Sequence, residues 1–560
     1  MSSNCLEIGL SLLREHQQEV YEECIYKKNG GMSLKMGFGK TLLSIVIGLK
    51  FIEGTDKKIL VVVSKTLIMS WMNEIKKFFG DKLKYIVFHK DYIKNIDSYI
   101  IDDDIKLVLV TTNTTAKYYK LHNIEQQAID RVIMNAGQFG QHTILNYNII
   151  NKPCIQLESD IILGTHLLYA KTWGCLIMDE VQNYNNVLAN NARSIMAIHA
   201  DHKWAISGTI FDEPKPEKIF GYYLLINDQT IPRCITEFKI HIKSNNYTGY
   251  NSTCITRDDI ITFKEPIINK IIINHKLNKH EADIYMLMKQ IIIEINKLVK
   301  AYRNMRDTTN QRRFGSYLLA MITYLRQSTI SPILPIANAI LDTSDISNDS
   351  KLSKIIVANI KKLNLYDYIN DEDSIFSTRI HNIINTVEEN TNEKIIIFTC
   401  FRTNLDILMN LISNELEREV FTILSSQNII NREKVLNNFR DSNNGILFLT
   451  YDIGAEGLNL QFCRKILLTD LYWNGAKTDQ AIARILRPGQ EADEIFIYYF
   501  ISNTAMEKTM IKKNKNKTEM INQLKTGKMS TKLAKVKVDD IINILENEDC
   551  YNDLNELINI

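Results

Sequence analysis

Gly31-Met32-Ser33-Leu34-Lys35-Met36-Gly37-Phe38-Gly39-Lys40-Thr41 is the stretch whose reading decides the fold. Gly37 and Gly39 leave little side-chain bulk where a phosphate approaches the backbone, Lys40 brings a compact positive charge, and the Thr41 hydroxyl suits a magnesium shell. The stretch reads as a nucleotide phosphate loop, although Leu34 stands where the strict pattern has its first glycine. The apolar run Leu42, Leu43, Ile45, Val46, Ile47 and Leu49 predicts a helix whose N-terminus faces the phosphates. Taken alone, the pattern leaves open an unrelated glycine-bearing helix start, and the surrounding chain has to decide.

Downstream, Ile59-Leu60-Val61-Val62-Val63 predicts a buried strand, followed by Ser64-Lys65-Thr66 and an amphipathic helix from about Leu67. Ser64 and Lys65 then sit at a strand's C-terminal end, where open α/β sheets meet ligands; a solvated loop lysine fits equally well. Upstream, the Gln17 amide offers adenine both a donor and an acceptor, against the plainer reading of a solvated helix residue. Leu107-Val108-Leu109-Val110 leads into Thr111-Thr112-Asn113-Thr114-Thr115, whose hydroxyls suit a nucleic-acid backbone or an ordinary turn. Residues 116–160 give no clear assignment and read as an insertion.

A second decisive run is Cys175-Leu176-Ile177-Met178, ending in Asp179-Glu180-Val181-Gln182. A strand ending in Asp-Glu places both acids at a sheet edge, Asp179 suited to magnesium and Glu180 to orienting or activating water. An acidic turn is the alternative, and Lys40-Thr41 counts against it. Trp204-Ala205-Ile206-Ser207-Gly208-Thr209 repeats the strand-to-polar-loop pattern; Ser207 and Thr209 either sense the nucleotide or cap a turn.

The second half changes character. Residues 240–262 are rich in Asn, Ser and Thr and read as an exposed loop region, and 281–341 is helical. Arg303, Arg306, Arg312 and Arg313 give a local positive field or simply a solvated helix face. New strand candidates at 394–398, 445–449, 465–468 and 495–500, several separated by helix-length intervals, predict a second α/β lobe. Between them lie Gly454-Ala455-Glu456-Gly457-Leu458-Asn459-Leu460 and Asp470-Leu471-Tyr472-Trp473-Asn474. A helix through Gln480-Ala481-Ile482-Ala483-Arg484-Ile485-Leu486-Arg487 follows. Arg484 and Arg487 share one side of that helix, with forked donors suited to charge on a transferring phosphate; two solvent-facing arginines are the plain alternative. Ten lysines from Lys508 to Lys537 suit phosphate or an acidic partner, or a solvated helix, before Asp539, Asp540, Glu546, Glu548 and Asp549 reverse the sign.

At 560 residues and 45% hydrophobic content, the chain exceeds one ordinary core and is not globally disordered. A formal charge of +2 means that any nucleic-acid contact comes from local patches. Nine scattered cysteines without a Cys-x-x-Cys pair suit reduced thiols and a cytosolic or nuclear-like compartment, not a zinc module or disulfide framework. No signal-peptide pattern or long uncharged membrane span is read in the sequence.

Taken in order, these segments resemble the SNF2-like branch of the superfamily 2 helicase/translocase family. Leu13-Arg14-Glu15-His16-Gln17 is similar to its adenine-recognition motif, Met36-Gly37-Phe38-Gly39-Lys40-Thr41 to its phosphate loop, and Asp179-Glu180-Val181-Gln182 to its Asp-Glu-x-His motif with glutamine for histidine. Ser207-Gly208-Thr209-Ile210 resembles its third motif with isoleucine for the frequent proline. Leu325-Arg326-Gln327, Ser331-Pro332, the 454–460 and 470–474 segments and Gln480 through Arg487-Pro488-Gly489-Gln490 extend the likeness over about residues 10–510. The resemblance also includes compact members encoded by large DNA viruses or cytoplasmic genetic elements.

The resemblance implies an α/β fold of two RecA-like lobes with a helical insertion between them and a short C-terminal extension. The expected divisions are an N-terminal lobe at 1–235, a helical and irregular link at 236–385, a C-terminal lobe at 386–510 and a charged extension at 511–560. It implies ATP and Mg2+ as cofactors, with Lys40 on the β/γ phosphates, Thr41 and Asp179 on magnesium, Glu180 on water and Gln17 on adenine, while Gly37 and Gly39 shape the loop. Gln480, Arg484 and Arg487 would complete the catalytic set from the second lobe. Ser64, Lys65, Thr111, Thr112, Arg402, Thr450 and Trp473 resemble or adjoin positions on the family's nucleic-acid path. The expected activity is a DNA-dependent ATPase that translocates along or remodels double-stranded DNA, with viral-type transcription or its termination as the process and an RNA polymerase or transcription complex as a further partner. A cytoplasmic, virion-packaged location belongs to the same expectation, with no membrane partner. An RNA-directed helicase and a nucleic-acid-binding scaffold with little turnover remain the alternatives.

Overall fold

The computed structural model describes residues 2–119, 168–242, 253–257, 266–335 and 377–526 apart from short internal breaks, together with 542 and 545. Lys35, Met36, Ala455, Glu456, Gly457, Pro488, most of the expected 116–160 insertion, and Lys528 with the lysines and acids after it lie outside the described residues. Two all-parallel sheets organise the chain. The first runs β3(Tyr85–Phe88), β4(Leu107–Thr111), β2(Ile59–Val63), β5(Trp173–Asp179), β6(Ala200–Ser207), β1(Gly30–Leu34), β7(Cys254–Arg257). The second runs β10(Val420–Thr422), β11(Ile446–Thr450), β9(Ile395–Thr399), β12(Lys465–Leu468), β13(Glu494–Ser502), β8(Ile267–His275).

The uninterrupted Val/Ile/Leu runs become central strands because both sheet faces are covered and neither face needs polar groups. Leu60, Val62, Leu176 and Met178 enter one core of the first sheet, while Ile59, Val61, Cys175 and Ile177 enter the core on its other face. The second sheet divides likewise, with Ile396 and Phe398 on one side and Ile395 and Ile397 on the other. Helices α1(Ser2–Leu12), α2(Glu15–Lys27), α3(Lys40–Phe51) and α4(Ile68–Phe79) belong to the first lobe. Val46 of α3 and Ile75 of α4 are wholly buried there.

The 236–385 region is more closely tied to the lobes than a separate link. Its β7 pairs with β1, and its β8 pairs with β13 along nine registered positions from Ile267 to His275. Both are edge strands, and β8 is exposed or half-buried along most of its length, so it lacks the continuous apolar signature of the central strands. The expected helical stretch forms α6(Lys279–Asn304) and α7(Thr308–Ser328), with α5 assigned to Thr112–Tyr119. Arg303, Arg306, Arg312 and Arg313, on these helices and the turn between them, are all exposed. After α8(Thr378–Glu388) and α9(Gly475–Ile482), α10(Ala505–Thr526) crosses the boundary drawn at 510 and packs Met506 and Met510 against α6 and α7.

A buried ion pair fastens these parts. Arg379 of α8 is fully buried, donates to Glu507 Oε2 at 2.7 Å and to the Thr469 carbonyl at 3.1 Å, and reaches His275 Nε2 at 3.4 Å. The described cysteines are all free thiols, and no helix among the described residues is long and apolar enough to cross a membrane.

Candidate active site

Sheet register brings the separated motifs to one edge. Ser33 pairs with Ser207, Asp179 with Ile206, and Val62 with Met178, so the segments after β1, β2, β5 and β6 leave the sheet on the same side. Opposite them stand Asn459, Gln461, Arg484 and Arg487 of the second lobe, and the two sets line a cavity of about 470 Å³. That volume falls within the roughly 300–1,000 Å³ of ordinary ligand pockets.

The loop geometry is phosphate-compatible. Gly37 and Gly39 have φ of 86° and 82°, a left-handed backbone that glycine adopts readily, and Gly39 is the N-cap of α3. A side chain at Gly39 would also collide with the Gln17 Nε2. Gln17 holds the loop from behind: its Nε2 donates to the Phe38 carbonyl at 2.8 Å, and its Oε1 accepts from the Arg14 amide at 2.9 Å. Lys40 Nζ donates to the Leu34 carbonyl at 2.9 Å. Burial lowers the Lys40 pKa, while Glu180 and Asp179 pull it upward.

The acidic pair is held tightly. Asp179 accepts from Trp71 Nε1 at 2.8 Å and from the Glu180 amide at 3.0 Å. Its carboxyl lies above the usual carboxylate range because of burial and the neighbouring Glu180, with Trp71 and Lys40 opposing the shift. A divalent cation would favour its ionised form. Glu180 adopts φ 52° and ψ 50°, a backbone uncommon outside glycine and found at constrained functional positions. Its Oε2 accepts from Gln182 Nε2 at 2.7 Å and Ser207 Oγ at 3.2 Å, while Oε1 lies 3.9 Å from Arg484 Nη2. Gln182 therefore contributes a carboxylate contact, and Ser207 joins Glu180 to the Thr209 amide at 2.9 Å.

Arg484 is 2% exposed, and burial together with Arg484 lowers the Arg487 pKa. Arg487 donates to Asn459 Oδ1. Thr41, Asp179 and Glu180 offer hard oxygen donors beside Lys40, Arg484 and Arg487, a combination that fits magnesium and a triphosphate. Gln480 lies on α9 and does not line the cavity.

Two contributors escape the sequence motifs, Trp71 and Glu74, both on α4. An amphipathic helix after a strand signals which face is buried, but not that an indole and a carboxylate reach a separate loop. Among the expected nucleic-acid positions, Thr111 is buried and its hydroxyl accepts from the Thr114 amide at 3.1 Å, capping α5. Lys65 pairs with Asp91 at 3.0 Å and Arg402 with Asp406 at 2.8 Å. Trp473 is packed by α10: Lys513 Nζ lies 4.6 Å from its ring centroid and Lys517 donates to its carbonyl at 3.1 Å.

Residues 12–217 match the SNF2-related domain model, and residues 378–489 match the Helicase conserved C-terminal domain model. The chain is 26% identical to the putative helicase 172L of Invertebrate iridescent virus 6, across 94% of this chain and 93% of that protein. It is 21% identical to the DNA repair and recombination protein RAD54-like of Drosophila willistoni, across 91% of this chain but 63% of that protein, less than two thirds of its length. A Sulfolobus solfataricus SWI2/SNF2 ATPase core, solved in complex with dsDNA, is 17% identical with a TM-score of 0.35, covering 95% of this chain and 97% of that one.

Proposed function

Because this chain belongs to the SNF2-related helicase family, we propose that it is an ATP-hydrolysing translocase acting on double-stranded DNA. The observation that carries the reading is the convergence of Lys40, Thr41, Asp179 and Glu180 from one lobe with Arg484 and Arg487 from the other on a single cleft. In this reading Lys40 binds the β/γ phosphates, Thr41 and Asp179 hold magnesium, and Gln17 fixes the phosphate loop while its end of the cleft receives adenine. Magnesium supplies charge neutralisation to the phosphates. Glu180, oriented by Gln182 and Ser207, positions water, and the two arginines stabilise transferred charge. A catalytic set split between lobes couples turnover to their closure, and alternating closure moves backbone contacts along a duplex.

The duplex assignment draws support from the paired SNF2-related and helicase C-terminal matches and from the likeness to a DNA repair and recombination protein. A finer reading places the motor with a viral-type transcription complex, including an RNA polymerase; its support is the near full-length likeness to the iridescent-virus protein and the compact motif set. The test is steady-state ATP hydrolysis by wild type and Glu180→Gln with no nucleic acid, double-stranded DNA, single-stranded DNA or double-stranded RNA. Duplex-DNA stimulation lost in the variant is the expected result. Selective RNA stimulation would reassign the substrate, and no turnover under any condition would favour a binding scaffold.

A further inference from the structure

Helix α4 brings a third acidic group into the cleft. Glu74 is partly buried and lines the cavity beside Lys40, Thr41 and Arg487. Burial raises the Glu74 pKa, and a hydrogen bond accepted from the Thr41 hydroxyl and the positive charges of Arg487, Lys77 and Lys40 oppose that shift and favour the carboxylate. Asp179, which the proposed function places on magnesium, has its oxygens engaged by Trp71 and the Glu180 amide. The Thr41 hydroxyl is thus held by α4, one turn beyond Trp71. Glu74 also faces the arginine assigned to the terminal phosphate.

We propose that Glu74 is an internal competitor for the terminal phosphate, a positioning residue that holds Thr41 and faces Arg487 and thereby sets selectivity for triphosphate over diphosphate. The inference rests on the ATPase reading of this cleft. A carboxylate and a terminal phosphate are both anions that seek the same Arg487 guanidinium, so each weakens the other's hold. The competition is confined to the end of the cleft where a diphosphate lacks a group. Removing the Glu74 charge without changing its shape should therefore favour triphosphate specifically.

The test is equilibrium binding of the slowly hydrolysed analogue ATPγS and of ADP, each with Mg2+, to wild type, Glu74→Gln and Glu74→Asp, with a thermal melt of every variant. Glu74→Gln is expected to tighten ATPγS by about three- to tenfold, on the order of one charge contact at a partly screened site, with ADP changed by less than about twofold. Glu74→Asp keeps the charge and should return toward wild type. Glu74→Ala repeats the measurement should the glutamine variant not fold. ATPγS affinity that is unchanged or weaker in the charge-removed variants, or equal shifts for both nucleotides, would overturn the inference while leaving the ATPase reading intact. Failure of wild type to bind either nucleotide would overturn both.

Discussion

Trp71→Phe isolates one hydrogen bond at the acidic pair. The indole Nε1 donates to Asp179 Oδ2 at 2.8 Å, and Trp71 is 2% exposed within the first-lobe core. Phenylalanine keeps an aromatic ring there and deletes the donor. A hydrogen bond to a charged group contributes about 1.5–3 kcal/mol, which at 1.36 kcal/mol per decade is roughly a 10- to 150-fold loss of turnover if the carboxylate must be held for the reaction. The assay is DNA-stimulated ATP turnover across a Mg2+ titration, with melting temperature measured alongside. The Mg2+ requirement should rise as turnover falls, since Asp179 is left less well oriented. Trp204→Phe is the control: its Nε1 donates to the Lys28 carbonyl at 3.2 Å, away from the cleft, so it should cost stability without moving the Mg2+ requirement. Turnover of Trp71→Phe within twofold of wild type at every Mg2+ concentration would refute the reasoning.

Gly39→Ala should weaken MgATP binding at least about tenfold, because a left-handed backbone costs a non-glycine residue roughly 1–2 kcal/mol and the new Cβ also collides with Gln17; equilibrium titration checks it. Arg379→Met leaves Glu507 buried without its cation and should lower unfolding stability by about 3–5 kcal/mol, with Glu507→Gln recovering part of the loss in denaturant melts. His275 is held neutral, its pKa pushed down to about 2 by burial and Arg379, against about 6.5 unfolded. Above pH 6.5 both states are neutral; below it only the unfolded state gains the proton, so wild type should lose about 2 kcal/mol between pH 7 and 5 through this group, and His275→Gln should lack that component.

Legibility followed the reach of each signal. Runs such as Ile59–Val63 and Ile395–Thr399 announced central strands because burial on both faces writes itself into every position. Lys40-Thr41 and Asp179-Glu180 were readable because their chemistry is local to a strand end. Trp71 and Glu74 were not: Asp179 lies 108 residues beyond Trp71, and helix periodicity predicts a face, not a partner. The half-exposed β8 lacks a full apolar run, and nothing in the sequence separates the lysines of α10, although Lys513 is buried against Trp473 while Lys512 is exposed. Gln17 reads in the sequence as an adenine contact or a solvated helix residue, whereas its amide holds the phosphate loop, a contact that an isolated glutamine does not reveal.

The packing around Trp473 also gives the molecule a built-in optical reporter. The chain has four tryptophans, and Trp71, Trp173 and Trp204 are each no more than 2% exposed. Trp473 alone is half-buried, with Arg326 of α7 at 5.8 Å and Lys513 of α10 at 4.6 Å from its ring. An aqueous quencher therefore addresses essentially one indole, and its emission follows how the helical region and the last described helix grip the second lobe, with no dye attached.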